Sequence, residues 1–403
     1  MNLFENNNEL LQKPTGVDDL LPDNVKKYKV LKKQIIETFK LWGYEEVSVP
    51  TLEYPELFRE SKGKSVEREM FQFSDNTGRP IVLRPDFTPS IARLIATYFN
   101  KKPRPIRLCY SGKVYKLGHS MSQEKELNQI GVELVGDGAA LGDAEIVAMA
   151  VETLKNLGIE DFVICIGNMN FIDSFLSEIG LSNKESKLVK ETLNENDLVK
   201  YYSLTKQFDI SEKARDLLHH LPKFRGKKEA LVEVKQKLQS FKAVSLLEEL
   251  EVIFVILEGY NLQDKVTFDL SLVRKFDYYT GFIIEGYSKS IGFPLCGGGR
   301  YDNLMSSYGK DLSATGFAFS FDTLMKLMPE KFIEKSPTKV FLSSDKKSLT
   351  KALANVRDLR EEGYQVIVDL EGISKEDALE RAKEHSTDEL YYYYDNNFYL
   401  EKI

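Results

Sequence analysis

The stretch 127–135 constrains this chain more than any other. A β-strand points successive side chains to opposite faces, so Gln129 and Glu133 share one face while Ile130, Val132 and Leu134 fill the other. Such a strand offers one face to a core and the other to polar chemistry. Residues 106–115 read as a second strand, and the polar stretch 117–125 between the two makes an antiparallel hairpin with a long tip.

At 403 residues the chain exceeds one ordinary core, so two or three domains are expected. Apolar residues at 42% and charged residues at 29% describe a globular protein rather than a disordered one. No apolar run reaches the length of a membrane span, and the polar amino terminus lacks the apolar region of a signal peptide. Cys109, Cys165 and Cys296 lie far apart in apolar, strand-like contexts, with neither a metal-ligand spacing nor a disulfide framework. A reduced, cytoplasmic protein without membrane attachment is therefore expected.

The formal charge of −7 weakens a nucleic-acid role, because cations neutralising phosphates drive such binding, but a local basic patch would still permit one. The cluster Lys101, Lys102, Arg104 and Arg107, broken by two prolines, reads first as a solvated loop. There is no phosphate loop, HExxH or GxSxG. The adjacent His219 and His220 fall in a polar helical region and read as solvated; His119 and His385 stand apart. No metal or cofactor is expected.

Along the chain, apolar positions at Val25, Tyr28, Leu31, Ile35 and Phe39 make one helical stripe over 24–42, closed by Gly43. Residues 45–49 alternate as a strand stopped by Pro50. Thr88 reads as the N-cap of a helix with Pro89 at its first position. A helix over 143–157 and a strand over 162–167 follow, then a charged, glycine-poor helical insertion at about 171–257, and strands over 267–287. Residues 1–330 thus form one domain. Lys335-Ser336-Pro337 reads as a linker to a small, slightly acidic α/β domain over 335–403, which contains the run Tyr391 to Tyr394.

Between Arg274 and Tyr279 the chain places a cation, a carboxylate and two phenols. As a strand, it would put Arg274, Phe276 and Tyr278 on one side and Asp277 and Tyr279 on the other. Taken alone, it reads first as an aromatic strand with solvated ends. A turn near Arg274 would instead bring guanidinium and phenol to one small planar ligand. Gly297, Gly298 and Gly299 fit either close ligand approach or a strand-end turn. Asp86 and Thr88 at a strand-to-helix turn suit an ammonium group. Joined with Gln129, Glu133, Arg274 and Tyr279, they describe an amino-acid pocket on a sheet surface.

Several separated motifs carry a resemblance. Residues 14–22, Leu83-Arg84-Pro85-Asp86-Phe87-Thr88, Arg107 to Gly112, Gln129-Ile130-Gly131-Val132-Glu133, Val273 to Tyr279 and Gly298-Gly299-Arg300-Tyr301-Asp302 follow one another in order. They resemble the catalytic domain of class II histidyl-tRNA synthetases over roughly residues 14–330. The resemblance implies an α+β fold, an antiparallel sheet flanked by helices, and a dimer formed through the first motif. It also implies a histidine pocket. Asp86, where the family usually has Glu, and Thr88 would hold the α-amino group, and Gln129 would contact the amino-acid backbone. Glu133 and Tyr279 would hold the imidazole and Arg274 the carboxylate, with Lys116 and Tyr278 completing the site.

The departures fall on the nucleotide side. Where those synthetases carry Phe-Arg-x-Glu, this chain has Tyr115-Lys116-Leu117-Gly118. Lysine keeps the charge but loses the planar two-pronged donor. Where they end Glu-Arg-Leu, it has Asp322-Thr323-Leu324, and the tip 118–125 lacks the expected arginines. Losing one such electrostatic contact costs about 10²–10³ in rate. The pattern resembles the regulatory subunits of ATP phosphoribosyltransferase. That resemblance implies a non-catalytic subunit in histidine biosynthesis, required by a short-form catalytic subunit and sensing L-histidine for feedback inhibition. It makes tRNA binding unexpected; the alternative is a divergent, active histidyl-tRNA synthetase.

Overall fold

The computed structural model describes residues 8–62, 69–99, 101–117, 124–138, 140–274, 279–329, 337–395 and 397–403. The chain divides into two compact units, Met1–Phe332 and Ile333–Ile403. The expected linker residues Lys335 and Ser336, and most of the hairpin tip, lie outside the described residues.

The first unit opens with α1 (Pro22–Leu41), whose apolar stripe buries Leu31, Ile35 and Phe39. Gly43, at φ +83°, ends it in the left-handed conformation that glycine adopts without a Cβ penalty. Next come β1 (Glu45–Glu46), β2 (Leu52–Glu53), α2 (Glu56–Lys62), β3 (Gln72–Ser74), β4 (Pro80–Leu83) and α3 (Thr88–Tyr98). The hairpin is β5 (Ile106–Tyr115) and β6 (Glu126–Val135), then α4 (Ala140–Asn156) and β7 (Val163–Asn168). The insertion comprises α5 (Met169–Glu178), α6 (Asn183–Asn194), α7 (Leu198–Thr205) and α8 (Glu212–His220). It continues through β8 (Arg225–Gly226), α9 (Lys228–Lys237) and α10 (Glu248–Gly259). The chain returns to the sheet with β9 (Val266–Asp269), β10 (Phe282–Ser288) and β11 (Ile291–Arg300). The unit ends with α11 (Asp302–Ser307), β12 (Ala314–Ser320) and α12 (Phe321–Leu327).

These strands build a nine-stranded sheet in the order β1-β5-β6-β12-β11-β10-β7-β9-β8. Its centre is antiparallel, as expected, but β1 runs parallel to β5 and β7 parallel to β9. The expected strand over 45–49 shortens to two residues. Past Glu46, the carbonyls of Val49 and Pro50 turn to accept from the Arg84 guanidinium at 2.7 and 2.9 Å. Nor does Arg107 belong to a solvated loop: it lies in β5 and grips the Glu145 carboxylate with two bonds of 2.8 Å.

Two cores flank the sheet. Ile130, Val132 and Leu134 join α1, α4 and the insertion in the larger one. The other face, read from sequence as a surface, carries a second core in which Phe87, Ile91, Leu108, Tyr110, Tyr301 and Leu304 pack together. One buried ion pair ties α4 to the end of β11. Arg300 donates to both Asp143 oxygens, at 2.9 and 3.2 Å, and the two side chains are 9% and 4% exposed.

The second unit holds β13 (Lys339–Ser344), α13 (Leu349–Glu361), β14 (Gln365–Val368), α14 (Lys375–Glu384), β15 (Glu389–Tyr394) and β16 (Asn397–Lys402). Its sheet order is β14-β13-β15-β16, parallel except for the last pair. Burial on both faces explains the first three tyrosines of the run, and Tyr394 is exposed. Tyr391 and Tyr393 pack with Ala352 and Val356 of α13, while Tyr392 packs with Ala378 and Ala382 of α14.

Removing one member of a buried ion pair strands the other charge, so Asp143→Ala is expected to lower stability by roughly 3–5 kcal/mol. Arg357→Ala, which removes an 84%-exposed partner of Glu361, should cost less than about 0.5 kcal/mol. Urea unfolding of both variants checks the contrast.

Candidate ligand-binding site

The site begins with the turn between β4 and α3. Arg84 fixes it by donating to Val49, Pro50 and Lys113 carbonyls and by lying over the Phe87 ring at 4.0 Å. Phe87 stacks in turn on Tyr110, 4.4 Å between centroids. The Asp86 carboxylate accepts from the Thr88 N–H at 3.2 Å. Thr88 is the first residue of α3 and does not cap it as expected; the preceding Phe87 has helical backbone and gives no side-chain cap. The hydroxyl goes instead to the Glu133 carboxyl, at 2.9 Å.

Glu133, 2% exposed, is the centre of the arrangement. Thr88 donates to one of its oxygens, and Tyr301, in the same core as Phe87 and Tyr110, donates to the other at 2.5 Å. Burial pushes the acid up to about 8 and the neighbouring Asp86 charge adds to this, while hydroxyl bonds from Tyr301, Thr88 and Tyr110 oppose it. Gly316 on β12 faces Glu133 across the ladder, and a Cβ there would fall 2.0 Å from the carboxylate oxygen. Glycine at 316 is therefore what lets this acid lie flat against the sheet.

Around it is a small cavity of about 50 Å³ lined by polar side chains. Asp86, Thr88, Lys116, Gln129, Glu133, Arg274 and Tyr279 all line it, so the structure gathers seven of the eight expected residues. The eighth, Tyr278, lies outside the described residues, as do Phe276 and Asp277. Arg274 and Tyr279 are not on a strand: β9 ends at Asp269 and β10 starts at Phe282. Glycine 281 and the Thr280 N–H, which donates to the Arg300 carbonyl at 2.7 Å, re-enter the sheet there. Arg274 and Tyr279 nevertheless line the same cavity, with the guanidinium carbon 5.9 Å from the centre of the phenol ring.

The glycine triplet is not a strand-end turn. Gly297 and Gly298 lie within β11 on the cavity wall. Tyr110 and Tyr301 also line the cavity and were not among the expected residues. Register would have found Tyr110, because it pairs with Gly131, midway between Gln129 and Glu133, and paired residues share a face. The Gln129 Oε1 atom is buried and accepts no hydrogen bond from the described residues. A buried orphan acceptor costs about 1–3 kcal/mol unless a ligand donor satisfies it. An acceptor, two acids and a guanidinium around one cavity can hold a zwitterion bearing a further N–H group.

The nucleotide side differs. Thr323 in α12 is buried and shares a 2.7 Å hydrogen bond with Ser320, so this position presents no cation. Asp322 accepts from the Asn128 backbone and side-chain N–H groups, both at 2.9 Å, and serves to pin α12 to β6. Among the described residues, no group of three or more His, Cys, Asp or Glu side chains is placed to hold a metal ion. No described helix is long and apolar enough to cross a membrane.

Comparison with known proteins agrees with this arrangement. A family model described as Histidyl-tRNA synthetase matches residues 16–324. The ATP phosphoribosyltransferase regulatory subunit of Desulfitobacterium hafniense strain Y51 is 34% identical over 93% of this chain and 95% of its own. That of Moorella thermoacetica is 34% identical, over 92% and 95%. A crystal structure of an ATP phosphoribosyltransferase regulatory subunit/histidyl-tRNA synthetase from Bacillus halodurans C superposes with TM-score 0.82 at 32% identity, covering 92% of this chain and 96% of that one. The histidyl-tRNA synthetase of Nostoc sp. PCC 7120, at TM-score 0.79 but 18% identity over 97% and 96%, shares the fold. The chain belongs to the family of ATP phosphoribosyltransferase regulatory subunits, which is built on the class II histidyl-tRNA synthetase fold.

Proposed function

We propose that this chain is the non-catalytic regulatory subunit of an ATP phosphoribosyltransferase and that it senses L-histidine for feedback inhibition. The observation that carries the sensing role is the intact amino-acid cavity beside an altered nucleotide side. Glu133, bracketed by two hydroxyls, and the orphan Gln129 acceptor stand ready for N–H donors, and Arg274 for a carboxylate. Lys116 and the buried Thr323 stand where the related synthetases carry arginines.

In this reading Asp86 and Thr88 receive the α-amino group, Glu133 and Tyr279 the imidazole, and Arg274 the carboxylate, with Lys116 on the cavity wall. The partner is a short-form catalytic subunit. Occupancy of the cavity favours an inhibited arrangement of the complex. The chain self-associates as a dimer through the α1 region, where Leu20, Leu21 and Leu41 are exposed. It functions in the cytoplasm, without tRNA.

Mixing the chain with a short-form catalytic subunit should give a complex whose activity falls on adding histidine. Allosteric coupling is worth about 1–3 kcal/mol, or a 5–150-fold change in apparent affinity. Arg274→Ala and Glu133→Gln should preserve assembly yet relieve inhibition; variants inhibited at unchanged histidine concentrations would count against the cavity. The isolated chain should show no histidine-dependent exchange of pyrophosphate into ATP, and robust exchange would restore the synthetase alternative.

Glu133 also predicts a pH dependence of ligand-free stability. Its folded value of about 8 lies above the ordinary 4.5, so the folded state binds the proton more tightly. The associated stabilisation is fully present below pH 4.5 and is lost as pH rises through about 8. Glu133→Gln should flatten this slope, measured by denaturant unfolding at several pH values.

A further inference from the structure

We infer that Glu285 is a positioning residue that makes the cavity discriminate ligands bearing a free carboxylate, by aiming the Arg274 guanidinium. This inference rests on the histidine reading above and deepens it. Arg274 lies in neither a helix nor a strand, so no ladder of backbone bonds directs its side chain. Side-chain contacts do so instead. Arg274 Nη1 donates to Glu285 Oε1 at 2.8 Å, and the two side chains are 18% and 14% exposed. Glu285 is held from its other oxygen, which accepts from the Tyr287 hydroxyl at 2.7 Å. It stands in the middle of β10, paired with Cys165 on one side and Gly297 on the other.

Gly297 supplies the floor. A Cβ at this position would come 2.1 Å from Arg274 Nη1 and 2.6 Å from the central guanidinium carbon, so the planar group rests against bare backbone. Acid and glycine are direct neighbours across one rung of the sheet. Together they fix the guanidinium along the strand and at its surface, next to the cavity it lines. A flexible arginine without them would lose the pre-set fork geometry on which carboxylate recognition depends.

Glu285 exerts two opposed effects. Its charge weakens the attraction of Arg274 for another anion, whereas its hydrogen bond orients the donor. Glu285→Gln separates them, because it keeps an acceptor at the same place and drops the charge. If orientation dominates, Glu285→Ala weakens histidine binding by about 10–100-fold, the range of a charge-assisted hydrogen bond. Glu285→Gln then retains binding within about 3-fold. Gly297→Ala, which displaces the guanidinium by another route, should reproduce the loss.

The test is calorimetric titration of the full chain and these variants with histidine and with histidinol, in which a hydroxymethyl group replaces the carboxylate. Histidinol affinity should stay within about 2-fold of the unmodified chain in each variant, which a merely structural role for Glu285 would not give. Unchanged histidine binding by Glu285→Ala, an equal loss of histidinol, or a Gln variant as impaired as the Ala variant would each overturn the inference while leaving the histidine reading intact. Failure of the unmodified chain to bind histidine would sink both.

Discussion

A carboxyl group with almost no access to water organises this structure. Glu133 sits inside a sheet with a core on either side, where an unpaired charge would be untenable, so every neighbouring element contributes to its accommodation. Thr88 at the start of α3 and Tyr301 after β11 supply the hydroxyls, and Gly316 on β12 supplies the room. Three chain segments far apart in sequence thus converge on two oxygen atoms.

The same economy runs through the rest of the cavity. The Arg84 guanidinium satisfies three carbonyls and stacks on Phe87, which holds the Asp86–Thr88 turn against the hairpin. Arg300 and Asp143 anchor the end of β11, from which Tyr301 projects and to whose carbonyl Thr280 is bonded. The cavity wall is therefore built from packed, hydrogen-bonded elements rather than from solvated side chains. On the nucleotide side, the corresponding positions have been absorbed into the scaffold: Thr323 is buried and Asp322 pins a helix to a strand.

Much of this was legible in the residues. Helical spacing gave α1 and its glycine stop, and alternation gave both hairpin strands and the shared face of Gln129 and Glu133, because these are short-range consequences of backbone geometry. Thr88 was misread for the same reason. A threonine before proline at a helix start is a capping signal locally, yet a buried acid 45 residues away competes for the hydroxyl and takes it. Aromatic content around Arg274 likewise favours a strand, yet Arg274 and Tyr279 themselves lie in neither helix nor strand.

The sequence by itself determined the elements, the inventory of charged and phenolic groups, and the pattern of retained and altered motifs, all of which depend on neighbours along the chain. Only the tertiary structure decided that the polar face of the hairpin is enclosed, that Tyr110, Tyr301 and Glu285 belong with the site, and that glycines 297 and 316 are clearances for two side chains. Those facts depend on which strands lie side by side and in which register. Pairing between distant segments is set by the burial of whole faces, and no local window of residues contains it.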